Sequence, residues 1–412
     1  MEYNVNCKTI AESNDYLRKL WSCLNEITKM GTCFYGEKHS KNNTVTIGET
    51  NIGTIHYKYS KRGCIKSIIV TQPKFNENKI LEVCEKAKTL KKKYYLVKLK
   101  FNNYGDNKTH ETIELCDSDS GKIAGKIVTN SVEHRLFYKA SYKNVELLND
   151  SKNNFMYLVV AAYDNCDLGT FLSEIIPKIC AVLYEYTFSL VDAKAEVAEI
   201  KEEETGFKDD YFEDYNHDWI DEDEIPNIGD SILIPKECLI LLSLIVSGVT
   251  DKNLGKIINS ALILYSTQKI HFSISNSDEF CISDIINNMQ ITAVEPLSDI
   301  IHSGSERCAV CNAEKYSIVK KIRFIVSNYT DKNFAKYFIN KYYTNRSKFL
   351  HTGKMQTNSV IYQYLVPQIS ETGELEAPTS FYDQNIRDYV SYLFRKMTYD
   401  VLTDNIPSFS DD

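Results

Sequence analysis

Apolar and polar residues alternate in six short runs within the first 165 positions: NTVTIG at 43 to 48, TIHYKY at 54 to 59, IKSIIVT at 65 to 71, YYLVKLKF at 94 to 101, RLFYKASY at 135 to 142 and FMYLVVAAY at 155 to 163. A period of two in β-branched and aromatic residues, punctuated by turns rich in Asn, Asp, Gly and Lys, predicts strands. KILEVCEKAKTL at 79 to 90 has helical spacing instead, so 1–165 is expected to be a mixed α+β domain with a largely antiparallel sheet. From Leu168 the period lengthens, with Phe171, Ile175, Ile179, Val182 and Leu183 three or four apart. That spacing predicts a connecting amphipathic helix over 166–200. Beyond Ser231 the pattern is helical throughout, in segments 235–248, 251–268, 283–302, 314–328, 331–350 and 382–403. Residues 231–412 are therefore expected to form an all-α bundle, with Pro296 kinking or ending the third helix.

A chain of 412 residues, 43% of them apolar, is long enough for about two or three domains. Its longest apolar runs, such as CLILLSLIV at 238 to 246, fall well short of the ~20 residues of a membrane span. The first residues, MEYNVNCKTIAESNDYL, lack the basic head and apolar stretch of a secretory signal. A cytoplasmic location is expected. The twelve cysteines are scattered singly apart from Cys308 and Cys311, which predicts mostly reduced, buried thiols.

The net charge of -8 is unevenly spread. Between Glu196 and Glu224 fourteen acidic residues face only Lys201 and Lys208, and from Lys315 to Lys354 ten Lys and Arg face only Asp331. The acidic stretch falls largely in 201–230, a segment too charged to form core but carrying Phe207, Tyr211, Phe212, Tyr215 and Trp219. It reads as a solvated linker, as a strap that covers the basic block, or as a cluster of metal-binding carboxylates. A second cluster, KTLKKKYYLVKLK from Lys88 to Lys100, reads as a strand with solvated lysines or as a surface for an acidic ligand.

The basic block ends in RSKFLHTG, with Arg346 and His351 five positions apart. Arg and His at such a spacing are weak evidence alone, since chance supplies about half a match in a chain of this composition. On a helix they lie about 140° apart around the axis, so one helix does not bring them onto one face. The plain reading is an arginine paired with a carboxylate and a histidine beside the C-terminal carbonyls, with Gly353 as the cap. Cys308-Ala309-Val310-Cys311 is half of a tetrahedral zinc site, with His302 a third candidate ligand, or else a reduced pair in a loop. There is no Gly-rich phosphate loop and no His-Glu-x-x-His.

Four features in order resemble an Apea-like HEPN domain over about residues 250–405. They are Glu295 in MQITAVEPLSDI, a Cys-x-x-Cys followed by KYSIVKKIRFIV, a helix ending YYTNRSKFLHTGK, and a closing amphipathic helix. Within the third, Tyr343, Arg346, Ser347, Lys348, His351 and Gly353 match the extended motif, and Pro296 beside Glu295 is a departure from the family pattern. The resemblance implies a metal-independent endoribonuclease that needs no cofactor for catalysis, and any zinc would be structural. It implies Arg346 and His351 as catalytic residues, lining one cleft in a homodimer or higher even oligomer, with Ser347, Glu295 and Tyr343 in support. RNA carries its own nucleophile, the 2′-hydroxyl, so an imidazole for proton transfer and a guanidinium for the phosphate oxygens suffice. Lys341, Lys348 and Lys354 would place the phosphates, and Tyr342, Tyr343 or Phe349 would stack unpaired bases. Family context points to a prokaryotic anti-phage defence effector of the abortive-infection or toxin kind, cutting tRNA or mRNA after residues 1–165 sense a phage or stress trigger. The acidic segment 202–224 is then expected to screen the basic block. The rival expectation is a non-catalytic RNA-binding or dimerisation scaffold.

Overall fold

The structure is a computed structural model that describes residues 1–28, 37–39, 43–50, 53–60, 63–74, 76–103, 112–116, 123–128, 135–150, 153–191, 195–213, 219, 225–248, 251–273, 279–301, 318–330, 332–353, 368–369, 375–376 and 382–407. Helices and antiparallel sheets together make an α+β protein. Two compact units divide the chain away from the expected boundary at 165. The first is Met1–Leu96, Val160–Glu174 and Ala198–Thr205; the second is Val97–Val159, Ile175–Val197 and Gly206–Asp412.

In the first unit the chain runs β1 (Glu2–Asn4), α1 (Ile10–Thr28), β2 (Glu37–His39), β3 (Thr44–Thr50), β4 (Gly53–Tyr59), β5 (Ile65–Thr71) and α2 (Glu77–Thr89). The strands form an antiparallel sheet in the order β1-β5-β4-β3-β2. Ile55, Ile65, Ile68 and Val70 on one face pack with Leu20 and Leu24 of α1 and Ile80 and Cys84 of α2 in a single core. The expected strands 43–48, 54–59 and 65–71 and the expected helix 79–90 lie here. Helix α1 has no counterpart among the expected elements. Its start is a near capping box in which the Glu12 N–H donates to Thr9 Oγ1 at 3.0 Å and Glu12 accepts from the Lys8 N–H at 2.7 Å.

The chain continues through β6 (Lys93–Asn103), β7 (Thr112–Cys116), β8 (Ile123–Val128), β9 (Leu136–Phe137), β10 (Ala140–Tyr142), β11 (Val145–Asp150), β12 (Asn153–Ala162), α3 (Asn165–Tyr184), β13 (Phe188–Leu190) and β14 (Glu196–Ile200). A sheet in the order β10-β11-β12-β6-β13 serves the second unit, with β14 also paired to β6. In β6, Val97, Leu99 and Phe101 are fully buried. Lys98 on the opposite face reaches Glu196 at 3.4 Å, so these lysines belong to a half-buried strand. Phe101, Phe137 and Phe188 pack together, with ring centroids 6.1 and 4.2 Å apart in succession.

Two expectations in this stretch are corrected. The helix expected over 166–200 stops at Tyr184, and 188–190 and 196–200 are strands. Glu185 to Thr187 form a turn in which Thr187 takes φ 74. Phe188 then opens β13 and pairs with Asn103 of β6. The single strand expected at 135–142 is two, β9 and β10.

The rest comprises β15 (Asn227–Ile228), β16 (Ser231–Ile232), α4 (Lys236–Val246), α5 (Lys252–Ser273), α6 (Glu279–Thr292), α7 (Val294–Ser298), α8 (Ile318–Tyr329) and α9 (Lys332–Tyr337). A π-helical segment over Phe338–Tyr343 follows, then α10 (Thr344–Thr352), β17 (Gln368–Ile369), β18 (Leu375–Glu376) and α11 (Tyr382–Leu402). Strand β16 joins β9 in parallel and β17 pairs antiparallel with β18, so the elements described within 231–412 are helices apart from these short strands. Helix α11, with Val390, Leu393, Phe394 and Met397 fully buried, packs against α4, α5, α6, α7 and α8. Pro296 acts as expected, though four residues upstream of itself. It has no N–H for the Thr292 carbonyl, α6 ends at Thr292, and α7 starts after Ala293.

Candidate functional site

The break before Pro296 sets the site. On an unbroken helix, Thr292 and Glu295 would lie three positions apart on one face. They now end one helix and begin the next, and both side chains meet Arg346 of α10. Arg346 Nη2 lies 2.9 Å from Glu295 Oε2, and Arg346 Nε donates to Thr292 Oγ1 at 3.2 Å. Tyr343 donates its hydroxyl to the other carboxylate oxygen of Glu295 at 3.0 Å, and the guanidinium carbon lies 5.6 Å from its ring centroid. Thr292 is itself anchored by donating to the Asn288 carbonyl at 2.7 Å. Among the described residues Arg346 Nη1 has no partner. Burial, then the neighbouring Glu295 charge, pushes the Tyr343 hydroxyl up to about 12, so it stays protonated and donates.

The π-helical segment feeds this cluster. It adds one residue to the local turn, marked by Thr344 Oγ1 donating to the Ile339 carbonyl five positions back at 3.0 Å. Every later side chain is rotated by about 100° relative to an uninterrupted α-helix. Phe338, Ile339, Tyr342 and Tyr343, at positions i, i+1, i+4 and i+5, are all buried.

Other expected site residues fare differently. His351 is exposed in the last turn of α10, and Gly353 caps that helix with φ 66, its N–H donating to the Phe349 carbonyl at 2.8 Å. Ser347 is half-buried, and among the described residues no hydrogen bond joins it to His351. Lys348 is exposed. Tyr342 cannot stack an RNA base as expected. It is 8% exposed and packs edge-on against Phe338, 5.6 Å between ring centroids. Tyr343, 6% exposed and bonded to Glu295, is likewise unavailable for stacking. The Lys341 side chain, Lys354, His302, Cys308 and Cys311 lie outside the described residues, as does any zinc site built on them. Among the described residues no group of His, Cys, Asp and Glu is arranged to hold a metal, and no helix is long and apolar enough to cross a membrane.

Thr292 is the member of the site that sequence reasoning missed. A threonine four residues before a proline, whose own carbonyl the proline leaves without a helical donor, was the available signal. Of the acidic stretch 202–224, residues 202–213 and Trp219 are described. Its described residues pair with β10, α4 and α11, and no ion pair among the described residues joins 202–224 to 315–354. Compared with protein-family models, curated proteins and solved structures, the chain matches none.

Proposed function

We propose that this chain is a HEPN-type, metal-independent endoribonuclease, an effector of prokaryotic anti-phage defence or of a toxin-like system, acting on tRNA or mRNA. One observation carries the reading: Arg346, within the extended Tyr343-to-Gly353 motif, is held by Glu295, Thr292 and Tyr343, five positions before an exposed His351. A guanidinium fixed in advance donates to a non-bridging phosphate oxygen without reorganising during the reaction. In the step itself the RNA 2′-oxygen attacks the adjacent phosphorus and the bond to the 5′-oxygen breaks. The 2′-proton passes to one imidazole and the leaving oxygen takes a proton from another, giving a 2′,3′-cyclic phosphate and a 5′-hydroxyl. One His351 cannot occupy both positions, so a second copy supplies the other. Lys348, Lys341 and Lys354 neutralise the flanking phosphates, and Phe349, half-buried, remains for base stacking. Residues 1–165 take the sensing role.

The Glu295–Arg346 pair also favours a second reading, because a carboxylate satisfying an arginine is what a structural site looks like. In that reading the helical region dimerises or holds RNA without cutting it. Arg346→Ala and His351→Ala decide between the two. On the nuclease reading each lowers cleavage by about 10²-fold or more while light scattering shows the oligomer unchanged. Intact RNA binding with no cleavage by the wild-type chain establishes the scaffold instead.

A further inference from the structure

Strand β10 is the edge strand of its sheet, and its outer side is covered by the chain's own acidic segment. The Phe207 N–H donates to the Lys143 carbonyl at 2.7 Å, the Ser141 N–H to the Asp210 carbonyl at 2.6 Å, and the Asp210 N–H back to the Ser141 carbonyl at 2.9 Å. Ser141 Oγ donates to the Lys208 carbonyl at 2.7 Å, and the Lys143 N–H to Asp209 Oδ1 at 3.0 Å. Side chains repeat the pairing. Tyr211 lies against Tyr142 with ring centroids 6.3 Å apart, and Phe212 lies edge-on to Tyr138 at 6.1 Å. Lys236 of α4 stands 4.5 Å over the Tyr211 ring and 3.4 Å from Glu213. The segment forms only one antiparallel bridge, Ser141 with Asp210, and Lys208, Asp209, Asp210 and Glu213 stay exposed.

This edge reads a pattern: an extended backbone, two neighbouring aromatic rings, and carboxylates before and after them. We propose that the β10 edge, with Tyr138, Tyr142, Lys143 and Lys236, is a docking site for an extended acidic-aromatic segment of a partner protein, with residues 206–213 as its resident occupant. Strand addition to a sheet edge takes its affinity from main-chain bonds and its specificity from the flanking side chains. A partner strand able to extend the single bridge into a longer ladder displaces the resident segment. The proposal concerns binding alone and stands whether or not the chain cuts RNA.

The test uses the full-length chain with Asp210→Pro, which removes the N–H that the Ser141 carbonyl receives and loosens the resident segment without deleting Trp219. The probe is a fluorescein-labelled peptide of residues 206–213, followed by anisotropy. The expected result is binding about tenfold tighter to Asp210→Pro than to wild type, and weakened about tenfold by adding Lys236→Glu or by scrambling the peptide. Equal affinity for the two chains, or equal binding of the scrambled peptide, overturns the proposal. So does a concentration-dependent dimer of the wild-type chain that the peptide dissociates, since the occupant would then be a second copy. A misfolded Asp210→Pro leaves hydrogen exchange on the wild-type chain. Excess peptide should speed exchange at the Phe207 and Asp210 amides, and no change there overturns the proposal equally.

Discussion

Replacing Glu185 by glutamine should make the second unit more stable above pH 7 and remove most of its pH dependence between 5 and 8. Glu185 follows α3, is 1% exposed, and has no hydrogen-bond partner on either carboxylate oxygen. It lines a small cavity with Thr187, Trp219, Arg387, Asp388, Ser391 and Arg395. Several nearby donor atoms bond other acceptors. Ser391 Oγ donates to the Glu185 carbonyl at 3.3 Å, and Arg395 donates to the same carbonyl at 3.0 Å and to the Trp219 carbonyl at 2.5 Å. Arg387 Nε donates to the Tyr184 hydroxyl at 2.8 Å, and its Nη1 lies 2.6 Å from Asp388. Burial outweighs the pull of Arg387, of the Ser391 hydroxyl and of Arg395, and raises the carboxyl from 4.5 to about 7.

The folded state thus binds this proton more tightly than the unfolded chain. Below the unfolded value there is no penalty. It grows by ~1.4 kcal/mol per pH unit as pH rises toward the folded value, and above about pH 7 it is fully present at roughly 3 kcal/mol. Glutamine keeps the shape and carries no charge. Urea denaturation of wild type and Glu185→Gln at half-unit pH steps, followed by Trp219 fluorescence in a Trp21→Phe background, measures the difference. The two stabilities should converge below about pH 4.5 and separate by about 3 kcal/mol in favour of the variant at pH 8. Parallel curves, or a wild type that gains stability as pH rises from 5 to 8, refute the reasoning.

Glu295→Gln leaves Arg346 with a weaker acceptor. It should cost about 1–3 kcal/mol by thermal melting and lower the Tyr343 hydroxyl from about 12, read by ultraviolet titration against a Tyr343→Phe control. Trp219→Ala removes the ring that Arg395 covers at 3.4 Å and should destabilise by about 3–5 kcal/mol in urea; a loss under 1 kcal/mol would mean the acidic segment is not anchored there. Leu99→Ala, on the fully buried face of β6, should cost about 2–5 kcal/mol, while Lys100→Ala next to it should cost under 1 kcal/mol.

Strands β4, β5, β6 and β12 were legible because one face of each is buried, and burial of one face is what alternation records. Helices α4, α5, α8 and α11 were legible because each buries a stripe against its neighbours. What escaped was decided by single residues. Thr187 at φ 74 ends a helical pattern that hydrophobicity alone would extend. Tyr342 and Tyr343 share the buried helix face of Phe338 and Ile339, although by composition they suit base stacking. At the site, the Arg346 and His351 positions and the acidic partner Glu295 were readable from the motif. That Pro296 separates α6 from α7 and so brings Thr292 to Arg346 required the structure. For the acidic segment, net charge suggested the basic block as a neighbour, while main-chain pairing with β10 and the seat of Trp219 on Arg395 place its described residues.

The ends of the RNA that the chain makes distinguish a metal-independent ribonuclease from every alternative. Purified chain is incubated with total tRNA in excess chelator, and the products are assayed for 5′-hydroxyl and 2′,3′-cyclic phosphate termini. The account predicts both termini from wild type, undiminished by chelation, and neither from Arg346→Ala or His351→Ala. Products with 5′-phosphate ends, cleavage abolished by chelator, or equal cleavage by the two variants would contradict it.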